Sequence, residues 1–130
     1  MQVADAQGLS KQERVSSKRM IDRLFEGTGS RSLVSFPIRL VYMETERTIS
    51  NNAKAQMMVS VPKRFFKRAV KRNRVKRQIR EAYRHHKQLL PEKEGRTMIL
   101  AFIWMDDQLQ ESSDVDKKVN KLLLRMSERL

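Results

Sequence analysis

From Val70 to Leu90 the chain contains neither proline nor glycine, and Pro91 then closes the run. An unbroken stretch of this length predicts a helix of about six turns at 3.6 residues per turn. Its apolar positions agree. Stepping about 100° per residue places Val75, Ile79, Ala82, Tyr83, His86 and Leu90 on one side, which must pack against something. On the neighbouring flank fall Asn73, Lys76, Arg77, Arg80, Arg84 and Lys87, a ladder of donors reaching about 20 Å along the axis.

The charge of that flank constrains function. Between Lys63 and Lys87 lie twelve basic residues and one acid, Glu81, so +11 of the chain's +13 sits in one short stretch. Surface helices usually alternate signs, with acids spaced four residues from bases. A solvated charged face is therefore a poor account of this one. Charge packed so densely repels itself and calls for a polyanion. A membrane surface fits less well, because a bulky apolar insertion face is missing. Arginine's planar fork grips two phosphate oxygens or stacks on a base, and Asn73 both donates and accepts, as a sugar hydroxyl or base edge requires. No leucine heptads follow the basic run, as a basic zipper needs, and a strand rather than a helix precedes it, so RNA is expected over DNA.

The rest of the chain reads as one α+β domain, a single two-layer sandwich over residues 15–130 behind a loosely ordered tail, 1–14. Ser16 or Ser17 is expected to cap a first helix whose apolar face is Met20, Ile21, Leu24 and Phe25, with Gly27 and Gly29 stopping it. Period-2 alternation follows: Phe36, Ile38, Leu40 and Tyr42 on one face, Pro37, Arg39 and Val41 on the other, with Pro37 requiring a free edge or a bulge. After a polar loop at Ser50-Asn51-Asn52, Ala55, Met57, Val59 and Val61 alternate again, and the two strands are expected to form a long-looped antiparallel hairpin. Thr97–Trp104 is a continuous apolar run, hence a strand buried on both faces. Ser113 is expected to cap a last helix with Asp114 and Asp116 in its first turn and a stripe of Val115, Val119, Leu122, Leu123 and Met126. The expected order is α-β-β-α-β-α.

No cysteine is present, which excludes disulfides, thiolate zinc sites and a cysteine nucleophile. The acids are scattered as Glu44/Glu46, Glu92/Glu94, Asp106-Asp107 and Asp114/Asp116, so no carboxylate cluster for metal-assisted hydrolysis is legible. His85 and His86 are helix neighbours that point apart, and Trp104 reads as core. No apolar run approaches the roughly 20 residues of a membrane span. Met1 to Gln7 lack the basic start and apolar core of a signal peptide, so a cytoplasmic location is expected.

The block Lys71-Arg72-Asn73-Arg74-Val75-Lys76-Arg77-Gln78-Ile79-Arg80-Glu81-Ala82-Tyr83-Arg84 resembles the signature of the bacterial ribonuclease P protein family. Val59-Ser60-Val61-Pro62-Lys63-Arg64 is similar to that family's strand and basic loop, Met20–Phe25 to its first helix and Phe36–Tyr42 to its first long strand. The likeness covers nearly all of residues 9–129. It implies a left-handed β-α-β crossover, against the usual hand. It implies a partner, the catalytic RNA of ribonuclease P, and a substrate, precursor tRNA, whose 5′ leader the complex removes. No small-molecule substrate and no membrane partner are implied. Catalytic magnesium ions would be held by the RNA, and no catalytic residue falls on the protein. Carried over residue by residue, Arg68, Arg72, Asn73, Arg74, Lys76, Arg77, Arg80 and Arg84 would contact the RNA subunit. Phe25, Tyr42, Ser60, Lys63 and Arg64 would line a cleft for the leader. This chain departs from the family pattern in having Ile21 where a second aromatic often stands, and bulky Phe65-Phe66 where the loop often has glycine.

Overall fold

The computed structural model describes residues 13–15, 18–27, 29–48 and 53–130. Most of the expected tail, the Ser16/Ser17 cap and the loop at Ser50-Asn51-Asn52 lie outside these. The elements are α1 (Lys18–Glu26), β1 (Arg31–Ser35), β2 (Ile38–Glu46), β3 (Ala55–Ser60), α2 (Ala69–His86), a 3-10 turn (Lys87–Leu89), β4 (Arg96–Trp104) and α3 (Ser112–Arg129). Three helices and a four-stranded sheet make an α+β fold, with one more strand than the alternation predicts.

That extra strand is β1. Phe36 and Pro37 lie in a tight turn between β1 and β2, and the Phe36–Pro37 peptide is cis. Pro37 therefore interrupts no ladder, and Phe36 is exposed rather than in register with Ile38. The expected hairpin between β2 and the third strand does not form. The sheet order is β1-β2-β4-β3. β4 runs antiparallel to β2 (Tyr42 opposite Leu100) and parallel to β3 (Met57 opposite Leu100), so it separates the two. The physical reason is in β4 itself. Its Met98, Ile99, Leu100, Ala101 and Phe102 are apolar on both faces, and only a central position buries both. Each such aliphatic side chain contributes about 1.5–3 kcal/mol on leaving water, so placing this run at an edge would forfeit several kcal/mol.

The two sheet faces carry different cores. Ile38, Leu40, Met57, Val59, Leu100, Phe102 and Trp104 face α2 and α3, meeting Val75, Ile79, Tyr83, Val119, Leu122 and Leu123. On the opposite face Val41, Met43, Ile99 and Ala101 meet Leu24 of α1. So α1 lies apart from the other helices and covers only part of its face. Gly27, at φ +84°, ends α1 in the left-handed region where a side chain would be strained.

α2 ends sooner than the proline spacing suggests, tightening into the 3-10 turn before the buried Leu90. α3 begins at Ser112 with Glu111 at the cap position, and no side chain caps it. Ser113 is thus inside the first turn and not the cap. Ser112 Oγ instead accepts from Gln78 Nε2 at 3.1 Å, and Asp116 is drawn away by His86 (2.9 Å). His86, expected to be packed, is half-buried in that pair.

Candidate nucleic-acid interface

α2 packs through Val75, Gln78, Ile79, Ala82 and Tyr83, leaving the basic flank outward. Its N-terminus is unusual. Arg68 occupies the cap position without a side-chain cap, and no acid stands in the first turn. The positive end of the helix dipole is therefore surrounded by Lys67, Arg68, Lys71 and Arg72, an arrangement that costs stability until an anion arrives. Among the described residues, Arg68, Lys71, Arg74, Lys76, Arg77 and Arg80 form no ion pair with any carboxylate. Asn73, Arg77, Arg80 and Arg84 share one surface recess of about 410 Å³ with Arg14.

Three of the cations on α2 and the turn that follows it are tied down within the protein. Arg72 Nη1 donates to the carbonyl oxygens of Phe66 (2.6 Å) and Lys67 (2.9 Å), clamping the basic loop to the helix. Arg84 is bonded to Glu81, and that guanidinium holds the Glu81 carboxyl below its ordinary range. Lys87 pairs with Glu13 at 2.9 Å. The helix thus presents its unneutralised charge mainly in its N-terminal two-thirds, a gradient that spacing alone does not reveal.

The residues assigned to a leader cleft divide between faces. Phe25 is 46% exposed at the end of α1. Ser60 stands opposite Ile103, which packs on the α1 side, so Ser60 shares that face. Lys63 and Arg64 are exposed in the loop beyond it, with the Arg64 guanidinium 4.8 Å from the centre of the Phe65 ring. Phe66 is buried core and Phe65 packs partly against it. Tyr42 is the exception: it is 2% exposed and belongs to the core beneath α2 and α3. Assigning it to the cleft is therefore corrected. Its alternation with Ile38 and Leu40 already placed it on that side. The residue missed on the α1 side is Arg39, exposed on β2 and opposite Ile103 on β4. Phe25, Ser32, Arg39 and Ile103 line a recess of about 260 Å³ there. The period-2 pattern had turned Arg39 away from the core; only the position of α1 shows what it faces.

Among the described residues no three His, Asp or Glu side chains converge on a point where a cation would sit. Asp106 accepts from the Asp107 amide, Glu44 pairs with Lys93 at 3.2 Å, and Glu92 with Arg47 at 3.2 Å. These three acids serve local structure. No helix among the described residues is long and apolar enough to cross a membrane.

An α+β domain presenting an uncapped and largely unneutralised arginine helix defines a protein of the RNA-binding class. Residues 9–127 match the family model described as Ribonuclease P. Two ribonuclease P protein components from strains of Porphyromonas gingivalis are each 40% identical over 124 residues, spanning 92% of this chain and 87% of theirs. The ribonuclease P protein from Thermotoga maritima superposes with a TM-score of 0.64 at 21% identity, over 87% of this chain and 96% of that one. The one from Staphylococcus aureus gives 0.61 at 18% identity, over 92% of each. The chain belongs to the ribonuclease P protein family. It is the protein component of the tRNA-processing ribonucleoprotein endoribonuclease, and its partner is RNA.

Proposed function

We propose that the unpaired cations of α2 dock on the catalytic RNA of ribonuclease P, while the open sheet beside α1 takes the 5′ leader of precursor tRNA. The observation that carries this reading is the first turn of α2, where a helix dipole and four basic residues meet no acid and no cap. Arg68, Asn73, Arg74, Lys76, Arg77 and Arg80 supply the phosphate and sugar contacts. Arg72 acts chiefly by holding the loop in place, and Arg84 contributes once Glu81 yields it. Phe25 offers a stacking surface, and Ser60, Lys63 and Arg64 extend it along the strand and loop.

The RNA, on this reading, holds the catalytic Mg²⁺, and the complex works in the cytoplasm. The protein neutralises phosphates that would otherwise repel substrate, and so lowers the Mg²⁺ the RNA needs. Cleavage of a 5′-labelled precursor tRNA at low Mg²⁺ tests this with protein alone, a bacterial ribonuclease P RNA alone, and both. Mature 5′ ends only from the combination support the proposal. No stimulation by the protein leaves a structural RNA-binding role in its place, and cleavage by protein alone overturns the placing of the chemistry in RNA.

A further inference from the structure

The imidazole of His85 stands between two groups that one protonation state cannot satisfy together. Its Nε2 lies 3.2 Å from Arg84 Nη2 and 3.3 Å from Glu81 Oε1. The first is a donor and the second an acceptor. A neutral ring with its hydrogen on Nδ1 accepts from Arg84 through Nε2. A protonated ring can only donate from Nε2, so it engages Glu81 and repels the guanidinium. Arg84 also donates from Nε to Glu81 Oε2 at 3.3 Å, and its Nη2 donates to Glu81 Oε1. With the ring neutral, two acceptors therefore hold Arg84 in place. With the ring charged, one acceptor has become a cation and the other is shared.

Charged neighbours on both helices act on the ring. On α2, Glu81 favours the proton, Arg84 opposes it, and His86, with its ring centre 6.5 Å away, opposes it when charged. From α3, Asp116 Oδ1 lies 3.9 Å from His85 Nδ1 and favours the proton, while Asp116 Oδ2 is engaged by His86 Nε2 at 2.9 Å. Arg77 and Lys117 line the same groove and oppose it. Glu81 lines both this groove and the recess that holds Asn73 and Arg80; His85 lines the groove and Arg84 the recess. A phosphate seated in the recess therefore meets Arg84, with Glu81 between it and the histidine. We propose that His85 is a positioning residue of the RNA interface: on taking up a proton it engages Glu81 and releases Arg84 to a phosphate of the RNA partner. Docking and protonation then favour each other, because coupling between two bound species is reciprocal. Affinity for RNA rises as pH falls through the range where imidazole side chains titrate. The inference rests on the reading of α2 as the RNA-docking helix.

Binding of a transcribed bacterial ribonuclease P RNA is measured at fixed salt from about pH 8 to about pH 5.5. The full chain is compared with His85→Gln, His86→Gln, Arg84→Ala and Arg74→Ala. The parent is expected to bind roughly two- to fivefold more tightly at the acid end, the size of one exposed charge pair gained. His85→Gln should flatten that rise and His86→Gln should keep it. Arg84→Ala should flatten it too, although its histidine is intact, and this outcome separates positioning from a charge that meets phosphate directly. A rise that His85→Gln leaves unchanged, or that His86→Gln abolishes instead, overturns the assignment of the proton to His85. A rise lost in His85→Gln but preserved in Arg84→Ala gives the histidine its own phosphate contact and overturns the positioning role. If Arg74→Ala weakens binding while the parent's affinity is flat with pH, the inference fails alone. If Arg74→Ala and Arg84→Ala leave affinity unchanged at every pH, the docking role of α2 fails with it.

Discussion

Arg72 Nη1 lies 2.6 Å from the carbonyl oxygen of Phe66, so a residue in the first turn of the basic helix closes the loop that leads into it. Phe66 is in turn anchored in the core. The orientation of Lys63, Arg64 and Lys67 is thereby coupled to the packing beneath them. Arg72→Ala is expected to lower stability by about 1 kcal/mol, for a charge-assisted bond at a half-exposed site, and to reduce RNA affinity through the loosened loop. Thermal melting separates it from a pure contact residue, since Arg72→Lys should recover charge but not the two-carbonyl clamp.

Arg74, Arg77 and Arg80 make no ion pair among the described residues. Replacing any one of them by Ala should leave the melting temperature within a degree or two. Each should reduce the dependence of log K on log salt for the ribonuclease P RNA by about one. An unchanged slope would mean that the residue in question touches no phosphate.

Glu81 is the one acid in the basic stretch, and its bond to Arg84 holds its carboxyl below the ordinary value of 4.5. A lowered folded-state pKa gives stability that is present above pH 4.5 and is lost as pH falls through the lowered value. Glu81→Gln should therefore narrow its stability gap to the parent as the medium is acidified through that window. At neutral pH the same variant should bind RNA more tightly, by a factor of a few, because Arg84 is released and an opposing charge is gone. Denaturant melts across pH and a neutral binding titration read the two effects separately.

Phe25 and Tyr42 are the two aromatics assigned to the cleft, and they lie on opposite sides of the sheet. Phe25→Ala should weaken binding of leader-bearing precursor tRNA to the assembled complex by roughly five- to 150-fold, the range for losing one stacked base, and leave leaderless tRNA untouched. Arg39→Gln should act in the same sense through a lost phosphate contact. Tyr42→Phe should leave leader affinity as it is. Its hydroxyl is buried without a partner, so removing it should be neutral or slightly stabilising. A leader defect in Tyr42→Phe that matched Phe25→Ala would reverse this assignment.

How much of this was legible in one dimension depended on whether the signal was local. The basic helix was, apart from its end: its existence follows from the absence of breakers before Pro91, although it tightens into a 3-10 turn at Lys87, its buried stripe follows from 3.6-residue spacing, and its polyanion partner from a dense basic run that only Glu81 interrupts. The faces of β2 were legible too, since alternation put Ile38, Leu40 and Tyr42 inward whatever the neighbours, and it was a better guide to Tyr42 than family likeness. The double burial of β4 could be read from its unbroken apolar run. Strand β1 could not, because Arg31-Ser32-Leu33-Val34-Ser35 is short and half polar and follows two glycines.

The tertiary structure decided everything that depends on which element lies beside which. Periodicity states that a residue is inward but not what it meets, so β2 and β3, adjacent in sequence, were paired when β4 comes between them. Non-local pairing is settled by the burial of whole faces, a sum over the entire chain. For the same reason no pattern could place α1 on the far face of the sheet, where it brings Phe25 near Arg39. Nor could any pattern separate the cations that make no ion pair among the described residues from Arg84 and Lys87, whose charges are met by Glu81 and Glu13, or from Arg72, whose donors are taken by the Phe66 and Lys67 carbonyls. Residue types set the total charge of the surface. The distances between side chains set how much of it remains for RNA.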